Sequence, residues 1–329
     1  MSESNMSYKT YEFVGFALDP IHVGTGGNRL GSVDNTIIRD PVTKIPKIPG
    51  SSLAGVLRAY VAMSGNKYPD CAGQGQSRKD GSGGHCGKSD CPVCTTFGFA
   101  KGNSGSGGFA GLAGFSDMYV LLFPVATREG PLWVTAPSAL RQITGLKDSI
   151  KSLPDNNSVY RILRDNNDPI NLGNNDPINL GWLLLPVKTD WQSMNSVVTE
   201  LKKMKIPEYI DNSITVVSDK LFSHIINSNL EVRTSVAIDP ATGSAEDGAL
   251  FTYEALPRGT ILRWTVICRN PSHFKIDQEK IKISTTPEEV YKNVKTAFPY
   301  LEHLGIGGMA NRGMGRLLVL NDATLENID

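Results

Sequence analysis

The chain has 329 residues, enough to bury one large core or two modest ones. Its 33 basic and 33 acidic residues cancel, which excludes a free-standing nucleic-acid binder driven by net charge but permits a basic groove offset by acidic surface elsewhere. No apolar run reaches the roughly 18 residues of a membrane span, and the polar start lacks the apolar core of a signal peptide, so a cytoplasmic protein with reduced thiols is expected.

Residues 11–23 are dense in Phe, Val, Leu and Ile and read as a first strand, with Pro20 marking a bend. Glycines and prolines make residues 24–47 loop-like. Ile48-Pro49-Gly50-Ser51-Ser52-Leu53 then opens a helix, which Ser51 or Ser52 can cap. Leu53, Val56, Leu57, Tyr60 and Val61 recur at the spacing of one buried helical face. Residues 64–108 are rich in Gly, Ser, Lys and Cys and cannot make a core of their own.

Strand character returns over residues 109–125. Residues 141–182 are polar and hold a tandem repeat, Asn166–Gly173 recurring as Asn174–Gly181. It reads as a duplication inside a tolerant surface loop. Val232–Ile238 and Ala249–Tyr253 flank Asp239-Pro240-Ala241-Thr242-Gly243 as a hairpin with a long tip. Leu262, Trp264, Val266 and Cys268 alternate onto one strand face, so Cys268 is expected to be a buried core thiol.

Thr286, Pro287 and Glu289 spell a capping box with proline at the first helical position. The apolar stripe that follows, Val290, Val294, Ala297, Phe298, Leu301 and Leu304, is kinked by Pro299 and ended by Gly305. Arg316–Leu320 closes the chain as a strand. This order predicts an α+β protein with a ferredoxin-like, RRM-like split βαβ core carrying large insertions.

Four of the five cysteines, Cys71, Cys86, Cys91 and Cys94, fall in the Gly-rich segment. Cys91-Pro92-Val93-Cys94 is a CxxC knuckle, and four N or S ligands suit structural Zn²⁺. Metal would then order a segment that burial cannot. Cys86 is favoured as the fourth ligand, with its neighbour His85 as the alternative.

Gly305-Ile306-Gly307-Gly308-Met309-Ala310-Asn311-Arg312-Gly313-Met314-Gly315-Arg316 is the second Gly-rich loop. It formally contains GxGxxA, but helix precedes it and strand follows, which excludes a dinucleotide fingerprint. Gly87-Lys88-Ser89 resembles the end of a phosphate-binding loop, but Ser82 stands where that motif needs glycine. Glycines beside Arg312 and Arg316 suit close approach of a phosphate backbone. Paired with the Ser51–Ser52 turn more than 200 residues earlier, the loop suggests a surface that tracks nucleic acid. On their own, Asp34 reads as a turn former and His22 as a packing or hydrogen-bonding residue.

Together these residues resemble the RAMP superfamily, and within it the repeating backbone subunit of type III CRISPR effector complexes. The resemblance runs through His22-Val23-Gly24-Thr25-Gly26, Val33–Asp40 and Ile48–Leu53. It continues through Cys91–Gly98, Val232–Asp239 and Ala249–Glu254, and ends in Gly307–Arg316. It implies a single domain over residues 1–329 with a zinc-binding insertion at 64–108 and a thumb hairpin at 231–257; no motif of the family carries over to residues 126–230, which read as a middle insertion or lid, or as part of the thumb. The implied partners are guide RNA (crRNA), complementary target RNA, other effector subunits and further copies of the chain.

By the resemblance, Asp34 cleaves target RNA with Mg²⁺ or Mn²⁺. His22, Arg39, Ser51, Ser52, Arg58, Gly307, Gly308, Asn311, Arg312 and Arg316 bind RNA. Such a sparse site suits RNA, which carries its own nucleophile in the 2′-OH. Ala54 departs from the family's frequent lysine after Ser-Ser-Leu, which shifts the expected guide contact to Arg58 and Arg39. The alternatives are a non-catalytic subunit of the same assembly, or an endonuclease that processes guide precursors. The latter would want a histidine base near the Gly-rich loop, and His303 lies instead on the apolar-striped helix.

Overall fold

The computed structural model describes residues 6–26, 33–73, 84–100, 107–150, 153–161 and 176–321. The first strand, β1 (Tyr8–Ala17), stops short of the expected residue 23. The Leu18 and Asp19 N–H groups turn away to the carbonyl of Arg316 just before Pro20. After it come β2 (Lys47–Ile48), α1 (Gly50–Ser64), α2 (Pro92–Phe97), β3 (Ala113–Phe115), β4 (Met118–Thr127) and β5 (Gly130–Thr135). The middle of the chain gives α3 (Pro137–Leu140), β6 (Val159–Arg161), β7 (Pro177–Leu180), β8 (Leu183–Lys188), α4 (Met194–Lys203), α5 (Glu208–Asp211), β9 (Ile214–Val216) and α6 (Asp219–Ser228). The last third gives β10 (Glu231–Ile238), β11 (Ala245–Ala255), β12 (Ile261–Arg269), β13 (Lys275–Ile276), β14 (Glu279–Lys280), α7 (Pro287–Lys295), α8 (Phe298–His303) and β15 (Leu317–Val319).

One mixed sheet runs in the order β15-β1-β12-β4-β5-β9-β6-β8-β7. At its first end β15, β1, β12 and β4 are antiparallel neighbours, with α1 following β1 and α7–α8 following β12. The alternation in β12 is as the sequence requires: Leu262, Trp264, Val266 and Cys268 are all fully buried. Burial pushes the Cys268 thiol up to about 12. Aromatic contacts join this face to the last helices: Tyr11 stacks on Tyr291 at 4.1 Å, and Phe13 meets Phe298 edge-on at 5.1 Å.

Helix ends show where side-chain chemistry and packing compete. The Thr286–Glu289 capping box forms as expected. Pro299 does more than kink the stripe, since α7 ends and α8 begins with proline in its first turn. At α1 the cap is Pro49, not Ser51 or Ser52, and both serines lie in the first turn without a side-chain capping bond. The Gly50 N–H is instead taken by the Asp117 carboxylate at 2.8 Å. A Cβ on Gly50 would stand 2.5 Å from the Phe115 carbonyl, so this glycine is a packing requirement.

The described residues of 126–230 continue the sheet. Strands β5 to β9 extend it, and Trp133, Leu140, Val197, Leu201, Phe222 and Ile225 bury a core around them. The second copy of the repeat also differs from a surface loop: Pro177–Leu180 is the edge strand β7, with Ile178 and Leu180 inside. The first copy lies outside the described residues. Strands β10 and β11 form the expected hairpin as a separate two-stranded sheet. Among the described residues no helix is long and apolar enough to cross a membrane.

A candidate nucleic-acid interface and a cysteine knuckle

The hairpin's register sorts its side chains onto two faces. Arg233, Ser235, Phe251 and Tyr253 share one, where Phe251, Tyr253 and Ala255 pack against Met309 and Met314 of the Gly-rich loop. The other carries Val232, Thr234, Val236, Leu250, Thr252 and Glu254. Residues 33–39 run along the free edge of β11 at the base of the hairpin. Asn35 exchanges backbone bonds with it, donating to Thr252 at 3.0 Å and accepting from Glu254 at 2.9 Å.

Asp34 therefore stands exposed at the root of the hairpin. Its Oδ2 accepts from the Thr252 N–H at 2.7 Å and from the Thr252 hydroxyl at 3.0 Å. These bonds hold the Asp34 carboxyl below the ordinary carboxylate range, the backbone bond contributing most. The group is charged at neutral pH and fixed in direction.

Glu254 ties three segments together. Its carboxylate accepts from the Ile37 N–H at 3.2 Å and pairs with Arg39 at 2.9 Å. Its carbonyl accepts from His22 Nδ1 at 2.6 Å. A carbonyl only accepts, so Nδ1 carries a proton and donates here. Arg39 is further bound by Asn227 at 2.8 Å and by the Ile37 carbonyl at 3.1 Å. The structure thus uses Arg39 as a strut within the chain.

The Gly-rich loop sits on His22. The Gly308 N–H donates to the His22 carbonyl at 2.9 Å. Gly307 has φ +94°, and a Cβ there would lie 2.3 Å from that carbonyl oxygen. Gly305 and Gly315 are similarly pressed against backbone at 2.6 Å. These three glycines fold the loop on itself rather than clear space for an outside backbone. Gly308 differs, since a Cβ there meets nothing nearer than 3.5 Å.

Gly307, Gly308, Asn311, Arg312 and Arg316 are exposed along the loop. Arg312 reaches Ser235 of the hairpin at 3.3 Å, and Arg316 pairs with Asp19 at 2.5 Å. The loop meets α1 where the Tyr60 hydroxyl donates to the Gly305 carbonyl. Tyr60 is about 14 Å of helical rise from Ser51, so the two Gly/Ser turns seen in the sequence are not brought side by side at that contact.

The four cysteines converge. Their Sγ atoms lie within 4.8 Å of one another, with Cys86 to Cys94 at 3.7 Å and Cys71 to Cys91 at 4.0 Å. Tetrahedral Zn²⁺ with bonds of about 2.3 Å needs Sγ separations of about 3.8 Å. Cys86 belongs to this group, whereas the His85 ring faces Arg58, whose Nη1 lies 3.1 Å from Nε2. Arg58 also donates to the Phe97 and Gly98 carbonyls at 2.6 and 2.7 Å. Burial lowers its pKa, and the neighbouring thiols of Cys94, Cys71 and Cys91 oppose that shift. Arg58 is turned inward to the knuckle and is not displayed as a phosphate ligand.

Thr252, Glu254 and Asn227 received no role from the sequence. The strand holding Thr252 and Glu254 was visible, but their partners lie 217 and 218 residues away and spacing cannot reveal them.

The RAMP superfamily sequence model matches residues 17–318, nearly the full length. The chain belongs to the RAMP superfamily. Among its relatives, the Cmr endoribonuclease Cmr4 of Pyrococcus furiosus is 26% identical over 280 residues, covering 81% of this chain and 84% of the relative. The endoribonuclease Csm3 of Methanothermobacter thermautotrophicus is 34% identical over a shorter stretch of 90 residues, 27% of this chain and 32% of that protein. A chain of the type III-B Cmr-beta complex bound to cognate target RNA shares the fold, with TM-score 0.62 and 16% identity over 96% of this chain and 99% of its own. The crystal structure of Cmr4 shares it too, with TM-score 0.57 and 20% identity over 94% and 98%. This RAMP protein thus has its family's architecture along nearly all of its length.

Proposed function

We propose that the chain is a backbone subunit of a type III CRISPR RNA-guided complex, binding guide RNA and cleaving complementary target RNA at Asp34. The observation that carries this reading is the placement of Asp34: an exposed, ionised carboxylate fixed by Thr252 at the root of a protruding hairpin, whose opposite face packs on the Gly-rich loop. The strand order β15-β1-β12-β4, with helices after β1 and β12, supports a ferredoxin-like core. The names of the relatives, Cmr4 and Csm3 endoribonucleases, support the activity.

In this reading the guide backbone runs over Gly308, Asn311 and Arg312, with Ser51 and Ser52 offering the first turn of α1 to a phosphate. Nε2 of His22 hydrogen-bonds a ribose hydroxyl. The hairpin interrupts pairing between guide and target, and the target strand passes Asp34. Its 2′-OH attacks the adjacent phosphorus, forming a cyclic phosphate as the 5′-oxygen leaves. Asp34 aligns that hydroxyl and accepts its proton. An exposed carboxylate beside a phosphate also fits Mg²⁺ or Mn²⁺, which would supply neutralisation of the phosphate charge. Zn²⁺ in the cysteine knuckle would join residues 71–73 to residues 84–98, and inward Arg58 would offset the excess negative charge of four thiolates.

The test is purification of the chain with its natural neighbours, followed by identification of bound RNA and mapping of product ends. Co-purified guide RNA and 2′,3′-cyclic phosphate ends on cleaved target support the reading. Guide RNA present with no target cleavage points to a purely structural subunit. Cleavage of guide precursors alone points to a processing enzyme.

A further inference from the structure

Three of the four tryptophans, Trp133, Trp191 and Trp264, are buried, while Trp182 is 93% exposed. It occupies the tip of the β7–β8 hairpin, where Leu180 pairs with Leu183 across the two-residue turn Gly181–Trp182. Gly181 has φ +61°, the glycine-led geometry of a tight hairpin turn. Such turns favour small or polar residues, and a solvent-facing indole buries nothing that would help the hairpin fold.

The turn is held against the residue that leads from α6 into the β10–β11 hairpin. A Cβ on Gly181 would stand 2.6 Å from the Asn229 side-chain nitrogen, so the turn rests on that residue. Asn229 follows α6 and shortly precedes β10. Two residues before Asn229, on α6, Asn227 holds Arg39, and Arg39 pairs with Glu254 on the strand that anchors Asp34. Leu184, the second residue of β8, is also exposed. At the neighbouring β4–β5 tip the Arg128 N–H is bound by Asn179, and the exposed Arg128 guanidinium pairs with Glu129 at 2.8 Å.

We propose that Trp182 is a stacking platform for an unpaired base of the RNA strand that passes Asp34. A flat indole accepts any base face, so the contact is sequence-tolerant, and aromatic side chains on which bases stack are the usual equipment for holding single strands. The inference rests on the reading of the chain as an RNA-binding subunit.

The test uses the full chain and single-stranded 20-mer RNAs of uridine or adenosine. Tryptophan emission is followed alongside an independent filter-retention measurement, and circular dichroism verifies folding of each variant. Both RNAs should quench the emission of the wild-type chain. Trp182→Leu should lose that quench and bind about five- to a hundredfold more weakly, and Trp182→Phe should retain most of the affinity. Quenching or retention that is unchanged in Trp182→Leu overturns the proposal while leaving RNA binding intact. A shift in sedimentation of Trp182→Leu with unchanged retention assigns the indole to contact with a second copy and also overturns it. A wild-type chain that retains neither RNA contradicts both this inference and the functional reading beneath it.

Discussion

Gly307 and Gly308 are adjacent, yet the structure gives their substitution opposite consequences. Gly307 has φ +94°, outside the range L side chains readily adopt, and its added Cβ would press to 2.3 Å from the His22 carbonyl oxygen. The backbone conformation alone costs about 1–3 kcal/mol, and relieving the overlap must move the His22 segment or the loop. Gly307→Ala is therefore expected to lose at least about 2 kcal/mol of stability, several degrees in thermal midpoint for a chain of this size. At Gly308 the added Cβ meets only the His22 ring at 3.5 Å, an ordinary contact. Gly308→Val should melt within about one degree of wild type while its isopropyl group fills the exposed loop surface, lowering guide retention by at least about tenfold. The assay is a thermal melt of each full-length variant beside filter retention of guide RNA. Gly307→Ala melting like wild type would refute the account of how this loop is built. Gly308→Val with full guide retention would refute its use as the guide seat.

Three further outcomes follow from the site geometry. Asp34 has a depressed pKa, so the activity it controls is present above its ordinary titration range and lost as pH falls through the depressed value; Thr252→Val removes one of its bonds and should move that acid limb to higher pH, as a pH–rate profile would reveal. Arg39→Ala leaves the half-buried Glu254 carboxylate without its cation and should cost about 1–3 kcal/mol in denaturant unfolding while speeding amide exchange at Ile37. Chelation of the cysteine knuckle should release about one equivalent of Zn²⁺ and speed amide exchange over residues 84–98 but not in β1 or β12; Arg58→Met should weaken metal retention and leave guide retention unchanged.

The first and last thirds of the chain were legible because their signals are local. The α7 capping box, the β12 alternation and the CxxC knuckle each lie within a few residues, and each appears in the structure as read. The middle third was not legible as sheet. Strands β6, β7 and β9 are three or four residues long, too short to display a period, and β5–β9 and β6–β8 pair in parallel across long connections. At the site, residue identity was readable but orientation was not. Arg39 and Arg58 resemble phosphate ligands in sequence, yet Glu254 and the carbonyls of Phe97 and Gly98 claim their donors. Glycine likewise signals a tight approach without saying whether RNA or the His22 carbonyl makes it.

The central claim, that Asp34 cuts target RNA within a guide-bound complex, is tested most directly by comparing wild type and Asp34→Ala in the reconstituted effector. The target is all-ribose, or carries one deoxynucleotide at a scissile position. The account predicts unchanged assembly and target binding, a fall of about 10²-fold or more in cleavage for Asp34→Ala, and loss in wild type of the single cut at the deoxy position. Wild-type cleavage rates from the Asp34→Ala complex, or an undiminished cut at the deoxynucleotide, would contradict it.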